Sequence, residues 1–484
     1  MNYLGIDLGT SSVKLLLLGE DGTILRTVSR EYPLSMPQSG WSEQNPEDWW
    51  EQTKLGIREI MAGLPGESLG GISFGGQMHG LVALDDRDRV IRPAILWNDG
   101  RTGAETEYLN DTVGREILAR CTGNIAFAGF TAPKLLWLRK HEPENFARIA
   151  KIMLPKDYLA YRLTGVHSCD YSDASGMLLL DVAGKRWSEE MLEICGVREG
   201  QMPKLFESWQ VTGTVRPDIA QELGISPNVP VCAGAGDNAA AAVSTGTLEN
   251  GSCNLSVGTS GTVFIACDEF VRPQNSSLHS FAHASGGFHL MGCILSAAAC
   301  NKWWTEDILR LSDYGAAQGK GWEPEKNNVL FAPYLMGERT PHNDTAVRGG
   351  FFGLGLDTTR EQMTQAILEG VAFAMRDSAQ LAREMGIELS SCAICGGGAK
   401  SVMWREIFAN VLNVPIVTAG DEVGPALGGA MLAGVGCGGF SDLRTAARQV
   451  TGATKTILPQ PRLQQWYEEK YQRYRTLYSR VRDI

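Results

Sequence analysis

The chain has 484 residues, with 44 basic and 55 acidic side chains, a net charge of -11 and a hydrophobic fraction of 43%. Such a length exceeds one ordinary core, so two domains of about 200–250 residues are expected, and the acidic balance argues against nucleic acid or an anionic membrane surface as partner. No apolar run approaches the ~20 residues of a membrane span, no secretory leader is expected from the opening residues, and the odd, scattered set of 11 cysteines fits a reducing, cytoplasmic compartment.

In chain order, the first thirty residues read as a β-meander, with strands at 3–8, 13–18 and about 24–30. The turn between the first two is Gly9-Thr10-Ser11-Ser12. A glycine turn lets backbone N–H groups converge on an anion, and the hydroxyls add donors. Asp7, at the strand end, is placed to hold a magnesium ion through water, and Lys14 to reach a phosphate. A helix is predicted from Asn45-Pro46, with an N-cap, a first-turn proline and acidic Glu47 and Asp48 at its positive end. A strand at 71–74 runs into Gln77-Met78-His79-Gly80. Loops at strand ends of α/β sheets are where ligands bind, so Gln77, Met78 and His79 are candidate substrate contacts. The polar loop Trp97-Asn98-Asp99-Gly100-Arg101 offers Trp97 and Asn98 as further ones.

A strand at 229–233 leads into Gly234-Ala235-Gly236-Asp237-Asn238 and a helix over 239–243. Asp237 at a helix N-terminus is favoured in its ionised form and could accept a hydroxyl proton, a role worth ~10²–10⁴-fold in rate. It could equally be a plain N-cap. About 250 residues after the opening a similar pattern recurs: strands at 254–257 and 262–266 flank Gly258-Thr259-Ser260-Gly261. The repeat suggests a duplicated α/β domain, with a boundary within 244–251. Next come a strand at 392–395, a helix at 402–412, a strand at 415–418 and a helix from about Gly424. Cys392 and Cys395 form a C-x-x-C within a strand, where they point to opposite faces and cannot grip one metal. The loop Gly396-Gly397-Gly398-Ala399-Lys400-Ser401 clears space for a flat adenine or ribose, but it is neither a Walker A motif nor a Rossmann fingerprint.

Taken together these residues resemble the FGGY carbohydrate kinases nearly end to end. One family signature matches Gly129-Phe130-Thr131-Ala132-Pro133-Lys134-Leu135-Leu136-Trp137-Leu138, and another matches Gly349-Gly350-Phe351-Phe352-Gly353-Leu354 and continues to Glu369. Leu154-Pro155-Lys156-Asp157-Tyr158 and the segment from Glu338 to Asn343 are also similar. The resemblance implies an α/β fold of two actin-like (ribonuclease-H-like) ATPase domains flanking a central cleft. Residues 1–246 would bind sugar and supply the base, and residues 247–484 would bind nucleotide.

It further implies ATP and Mg²⁺ as cofactors, Asp7 near metal and phosphates, Asp237 as catalytic base and Asn238 as its partner on the sugar. Gly9, Thr10, Ser11, Ser12, Lys14, Gly258, Thr259, Ser260, Gly397, Gly398, Ala399 and Ser401 become the nucleotide contacts. Met78-His79 stands where xylulose-specific members have Met-His and glycerol kinases Arg-Glu, so D-xylulose is the expected acceptor. Gluconate, ribulose or a related polyol is the alternative, and an actin-like or chaperone-like ATPase a more distant one. The outer signatures are expected to serve fold and packing. A sugar and ATP are the expected partners, and a homodimer is left open.

Overall fold

The predicted meander is present: β1 (Asn2–Leu8), β2 (Ser12–Gly19) and β3 (Ile24–Glu31) pair antiparallel, with Asp7 directly across the ladder from Lys14. In the computed structural model, residues 1–273, 278–318, 323–418, 420, 423–450 and 454–483 are described. Two units result. The first comprises Met1–Leu248, Ser280–His289 and Asp421–Gly452, and the second Glu249–His279, Leu290–Gly420 and Ala453–Ile484.

In the first unit β1 pairs parallel with β4 (Leu69–Gly76), and β5 (Val211–Thr214) and β6 (Pro230–Cys232) extend the sheet in the order β5-β6-β4-β1-β2-β3. A short strand β7 (Ala235–Gly236) lies parallel to the end of β4, pairing Ala235 with Gly75 and Gly236 with Gly76. On one face, helix α1 (Pro46–Met61) buries Trp49, Trp50, Ile57 and Ile60 against β2 and β3. Its start is as expected, with Asn45 accepting from the Glu47 N–H at 3.3 Å. These residues join Leu4, Ile6, Leu15, Leu17, Ile72 and Phe74 in one core, each large side chain contributing ~1.5–3 kcal/mol by leaving water. Two further helices, α2 (Thr131–His141) and α3 (Pro155–Thr164), are buried over most of their length. Helix α4 (Asp237–Ser244) follows β7 directly.

The other face is covered by the helix Pro425–Gly436, which packs on β1, β4 and α4. A Cβ at Gly5 would lie 1.8 Å from the Ala426 carbonyl oxygen, and one at Gly428 would lie 1.9 Å from that of Ala240. Only glycine permits these approaches. This small-residue helix is why a segment late in the chain belongs to the first unit. A single break after residue 246 therefore does not describe the units: the first extends to Leu248, and residues 280–289 and 421–452 return to it.

The second unit repeats the topology. Strands β8 (Ser252–Val257) and β9 (Gly261–Cys267) pair antiparallel, and β8 pairs parallel with β10 (Ser391–Cys395). β11 (Ile416–Thr418) follows in parallel and β12 (Lys455–Ile457) in antiparallel. The run β12-β11-β10-β8-β9 thus matches β5-β6-β4-β1-β2 strand for strand and direction for direction. In each copy the first two strands are joined by the same three residues, Gly-Thr-Ser. Helix α5 (Arg360–Glu384), opened by a Thr359/Gln362 capping box, packs on β9 and on α6 (Val402–Leu412). Among the described residues no helix is long and apolar enough to cross a membrane.

Candidate active site

Three strand ends of the first unit meet at one level. Asp7 on β1 is the register partner of Gly75, and Gly236 on β7 is the partner of Gly76. Asp7 and Asp237 therefore flank the Gly75-Gly76 end of β4 from opposite sides, about two strand spacings, or ~10 Å, apart along the sheet. Burial pushes Asp7 up to about 7, the negative charge of Asp237 adding to the rise and Lys14 opposing it. Burial likewise raises Asp237 to about 6, while the Asn238 donors pull it down. Both residues keep partial solvent access.

Asp237 is the first residue of α4, not its cap, and the capping position belongs to Gly236. Its Oδ1 accepts from the Asn238 backbone N–H at 2.7 Å and from the Asn238 side-chain amide at 2.9 Å. Among the described residues no donor reaches Oδ2. One carboxylate oxygen is thus clamped, with the helix dipole favouring its charge.

The Gly9-Thr10-Ser11 turn is braced from beneath. Gly9 O accepts from Tyr32 Oη and, at 3.2 Å, from Gln77 Nε2. Thr10 O accepts from Gln44 Nε2 at 2.7 Å, and Thr10 Oγ1 receives the Trp97 indole N–H at 3.0 Å. The N–H groups of Thr10 and Ser11 make no backbone hydrogen bond among the described residues, so the turn keeps donors for an anion. Ser12 opens β2, and Lys14 faces Asp7 across the ladder.

The expected substrate residues divide. Gln77 is buried, its amide N–H groups donating to Gly9 O and Gln44 Oε1 and its oxygen accepting from Thr10 Oγ1. In these contacts it braces the turn. The buried Met78 lies against Gly236, where a Cβ would come within 2.9 Å of Met78 Cγ. His79 is half-buried in a left-handed conformation (φ 69) and its Nδ1 carries a proton, donating to the Gly176 carbonyl at 2.7 Å. Trp97 and Asn98 are exposed. Their loop is held by Asp99, which accepts from Arg101, and by the buried Arg101 guanidinium, which lies over Trp41 at 3.6 Å and pairs with Glu43.

Several residues that shape this unit were not singled out from the sequence. Lys134 Nζ donates to His79 O at 2.8 Å and to Gly129 O at 2.7 Å, and Thr131 Oγ1 donates to His79 O at 3.0 Å. Burial holds the Lys134 ammonium well below the usual lysine range. These donors pin His79 in a backbone region a side chain seldom adopts, so the signature expected to serve packing also orients a candidate contact. The available signal was a lone lysine within the apolar run of α2. Gly176 is needed as well: a Cβ there would sit 2.5 Å from His79 Nδ1 and 2.9 Å from Met78 Cε.

The second unit contains a cavity of about 810 Å³ lined by Thr259, Gly397, Gly398 and Ser401 among others. Gly258, Ser260 and Ala399 neighbour these in sequence but do not line it. Ser401 Oγ caps α6 by accepting from the Trp404 N–H at 3.2 Å. Trp303, Tyr314, Lys302 and Gln318, which the sequence reading passed over, are among the other lining residues and add aromatic faces, a cation and an amide. Glu338 is buried and accepts from the Leu295 and Arg339 N–H groups, and burial raises it to about 8. It braces its loop, and residues 338–343 are not part of the cavity wall.

Among the described residues no group of three or more ligating side chains forms a metal cage. The Asp7–Asp237 recess nonetheless suits magnesium, which usually takes one or two carboxylates with water and substrate phosphates. Both carboxyls are raised chiefly by burial, and Lys14 opposes the rise at Asp7.

Comparison with known proteins places this architecture. Models of the N-terminal and C-terminal domains of the FGGY family of carbohydrate kinases match residues 2–244 and 253–437. The xylulose kinase of Escherichia coli is 40% identical over 99% of both chains. Among solved structures, a protein from Brucella ovis described as a xyloylose kinase superposes with a TM-score of 0.93 at 41% identity, covering 99% of both chains. A gluconate kinase from Lactobacillus acidophilus has the same TM-score, 0.93, at 26% identity, covering 99% of this chain and 98% of its own. Two actin-like ATPase domains account for the duplicated topology, and the chain belongs to the FGGY family of carbohydrate kinases, the ATP-dependent sugar kinases.

Proposed function

We propose that the protein transfers the γ-phosphoryl group of ATP to the C5 hydroxyl of D-xylulose, giving D-xylulose 5-phosphate and ADP, with Asp237 as general base. The observation that carries this reading is the arrangement of Asp237: one oxygen held by Asn238, the other without a donor among the described residues, across two glycines from Asp7. A carboxylate raised to about 6 is ionised at neutral pH, yet more basic than an ordinary aspartate. Asp237 Oδ2 takes the hydroxyl proton as the sugar oxygen bonds to phosphorus and the bond from phosphorus to the β-phosphate oxygen breaks. Asp7 would hold magnesium, which when bound offsets charge on the phosphoryl oxygens. The Thr10 and Ser11 N–H groups would donate to phosphate. In the second unit, the Gly397-Gly398 wall with Trp303 and Tyr314 would take the adenine and ribose, and Lys302 a phosphate. Eleven free thiols fit a cytoplasmic enzyme.

Xylulose is favoured by the identity to curated xylulose kinases and by Met78-His79 in the loop beyond β4. The equal superposition on a gluconate kinase keeps an aldonate as the second reading. An ADP-release screen over pentuloses, hexuloses, polyols and aldonates decides between them. Preference for D-xylulose is expected, and a clear preference for gluconate would move the substrate while leaving the kinase. Gly176→Ala offers a separate check on His79. Displacing the ring should raise the sugar KM by about 10-fold, the scale of one lost hydrogen bond, with the ATP KM within about twofold. Equal effects on both would remove His79 from the sugar pocket.

A further inference from the structure

Beneath the loop that carries Asp237 lies a cluster the proposed chemistry does not use. Lys156, in the first turn of α3, is fully buried, with its ammonium 2.6 Å from Asp157, 2.9 Å from Asp170 and 3.5 Å from Asp173. Asp170 Oδ2 accepts from the Ser172 N–H at 2.8 Å, from Ser172 Oγ at 2.5 Å and from Ser208 Oγ at 2.9 Å. Ser172 Oγ in turn accepts from the Gly236 N–H at 3.1 Å. Lys156 Nζ also donates to Ala233 O at 3.4 Å. Its stem lies under the end of β4, where a Cβ at Gly76 would meet Lys156 Cβ at 2.8 Å.

We propose that Lys156 is a positioning residue for the base, acting through Asp170 and Ser172 to fix the backbone at Gly236 and hence the carboxylate of Asp237. The inference rests on the reading of Asp237 as general base. Lys156 holds the segment 233–236 at both ends, directly at Ala233 and through two side chains at Gly236. Stability alone is a poor reason for the cluster. Four fully buried ionisable groups carry a large desolvation cost, and well-packed apolar residues often do as well or better. Among the described residues Asp173 has no hydrogen-bond donor on either oxygen, only the long 3.5 Å ion pair to Lys156, so the group is not optimised as an ion-pair network. What the geometry does specify is the strand-to-helix turn, and misplacing a reacting group by 1 Å can cost ~10²-fold in rate.

The test uses Ser172→Ala, Lys156→Met and Lys156→Arg in the full-length enzyme, alone and combined with Asp237→Asn. Ser172→Ala removes one hydroxyl and should lower kcat by about 10-fold, leaving both KM values within about twofold and melting cooperative. Lys156→Met should lower kcat by about 10²-fold, with partial recovery in Lys156→Arg. In the Asp237→Asn background Ser172→Ala should cost nothing further, because both changes act through one group. Wild-type kcat in folded Ser172→Ala, or the same fold-loss in the Asp237→Asn background, would overturn the proposal. If Lys156→Met does not fold, Ser172→Ala decides alone. Near-normal turnover of Asp237→Asn by itself would instead sink the base assignment, so the two failures are told apart.

Discussion

Asp237→Asn is expected to lower kcat by ~10²–10⁴-fold, the usual contribution of a general base, while nucleotide binding is retained. The amide has the shape of the carboxylate and can still accept from Asn238 through its oxygen. It cannot take a proton from the attacking hydroxyl. The fold should tolerate the change, since the side chain that leaves is a carboxyl whose burial disfavours its charge. At saturating Mg-ATP, where bound metal would hold Asp7 ionised, the wild-type enzyme should show an acid limb in kcat/KM for the sugar near pH 6, falling about tenfold per pH unit below it as Asp237 protonates. Asn238→Ala should move that limb to higher pH, because a donor that favours the ionised form is gone. Turnover of Asp237→Asn within a few-fold of wild type, or an acid limb that persists in it, would remove Asp237 from the base role.

Asp7→Asn is expected to abolish most activity and yet stabilise the nucleotide-free protein at alkaline pH. Asp7 rises from 3.8 to about 7 on folding, and Asp237 from 3.8 to about 6. Between about pH 4 and pH 7 the native chain therefore binds more protons than the unfolded chain. Stability contributed by these groups falls as pH rises through that window and is lost above it. At ~1.4 kcal/mol per tenfold change in proton affinity, ionising Asp7 costs a few kcal/mol at most, less where solvent reaches the carboxyl. On the scale of ~2–4 °C per kcal/mol for domains of this size, the Tm gain of Asp7→Asn over wild type should be near zero at pH 4 and grow to several degrees by pH 8. Magnesium with ATP should raise wild-type Tm and leave the variant nearly unchanged. A Tm difference independent of pH would show that the recess does not strain the carboxylate. Wild-type turnover in Asp7→Asn would take Asp7 away from the metal and phosphates.

Much of this arrangement was legible in the chain. The two Gly-Thr-Ser turns mark the duplicated sheet, and the Asn45-Pro46 start, the α6 span and the strand before Asp237 were all found. Each depends on residues within a few positions of one another: side-chain alternation, a cap, a glycine turn. The expected break after 246 missed the return of Pro425–Gly436 to the first sheet, because its Ala/Gly composition becomes a packing surface only against Gly5 and α4.

By itself the sequence determined the elements, the repeat and the family, since those follow from local pattern and from long signatures. Only the tertiary structure decided which distant groups each polar side chain braces. Gln77 turned inward to the Gly9 turn, while Lys134 reached His79 across 55 residues, Gly176 met it across 97, and Ser172 took the Gly236 N–H across 64. A hydrogen-bond partner is set by where strands and helices bring distant backbones together, and that distance has no signature in local composition.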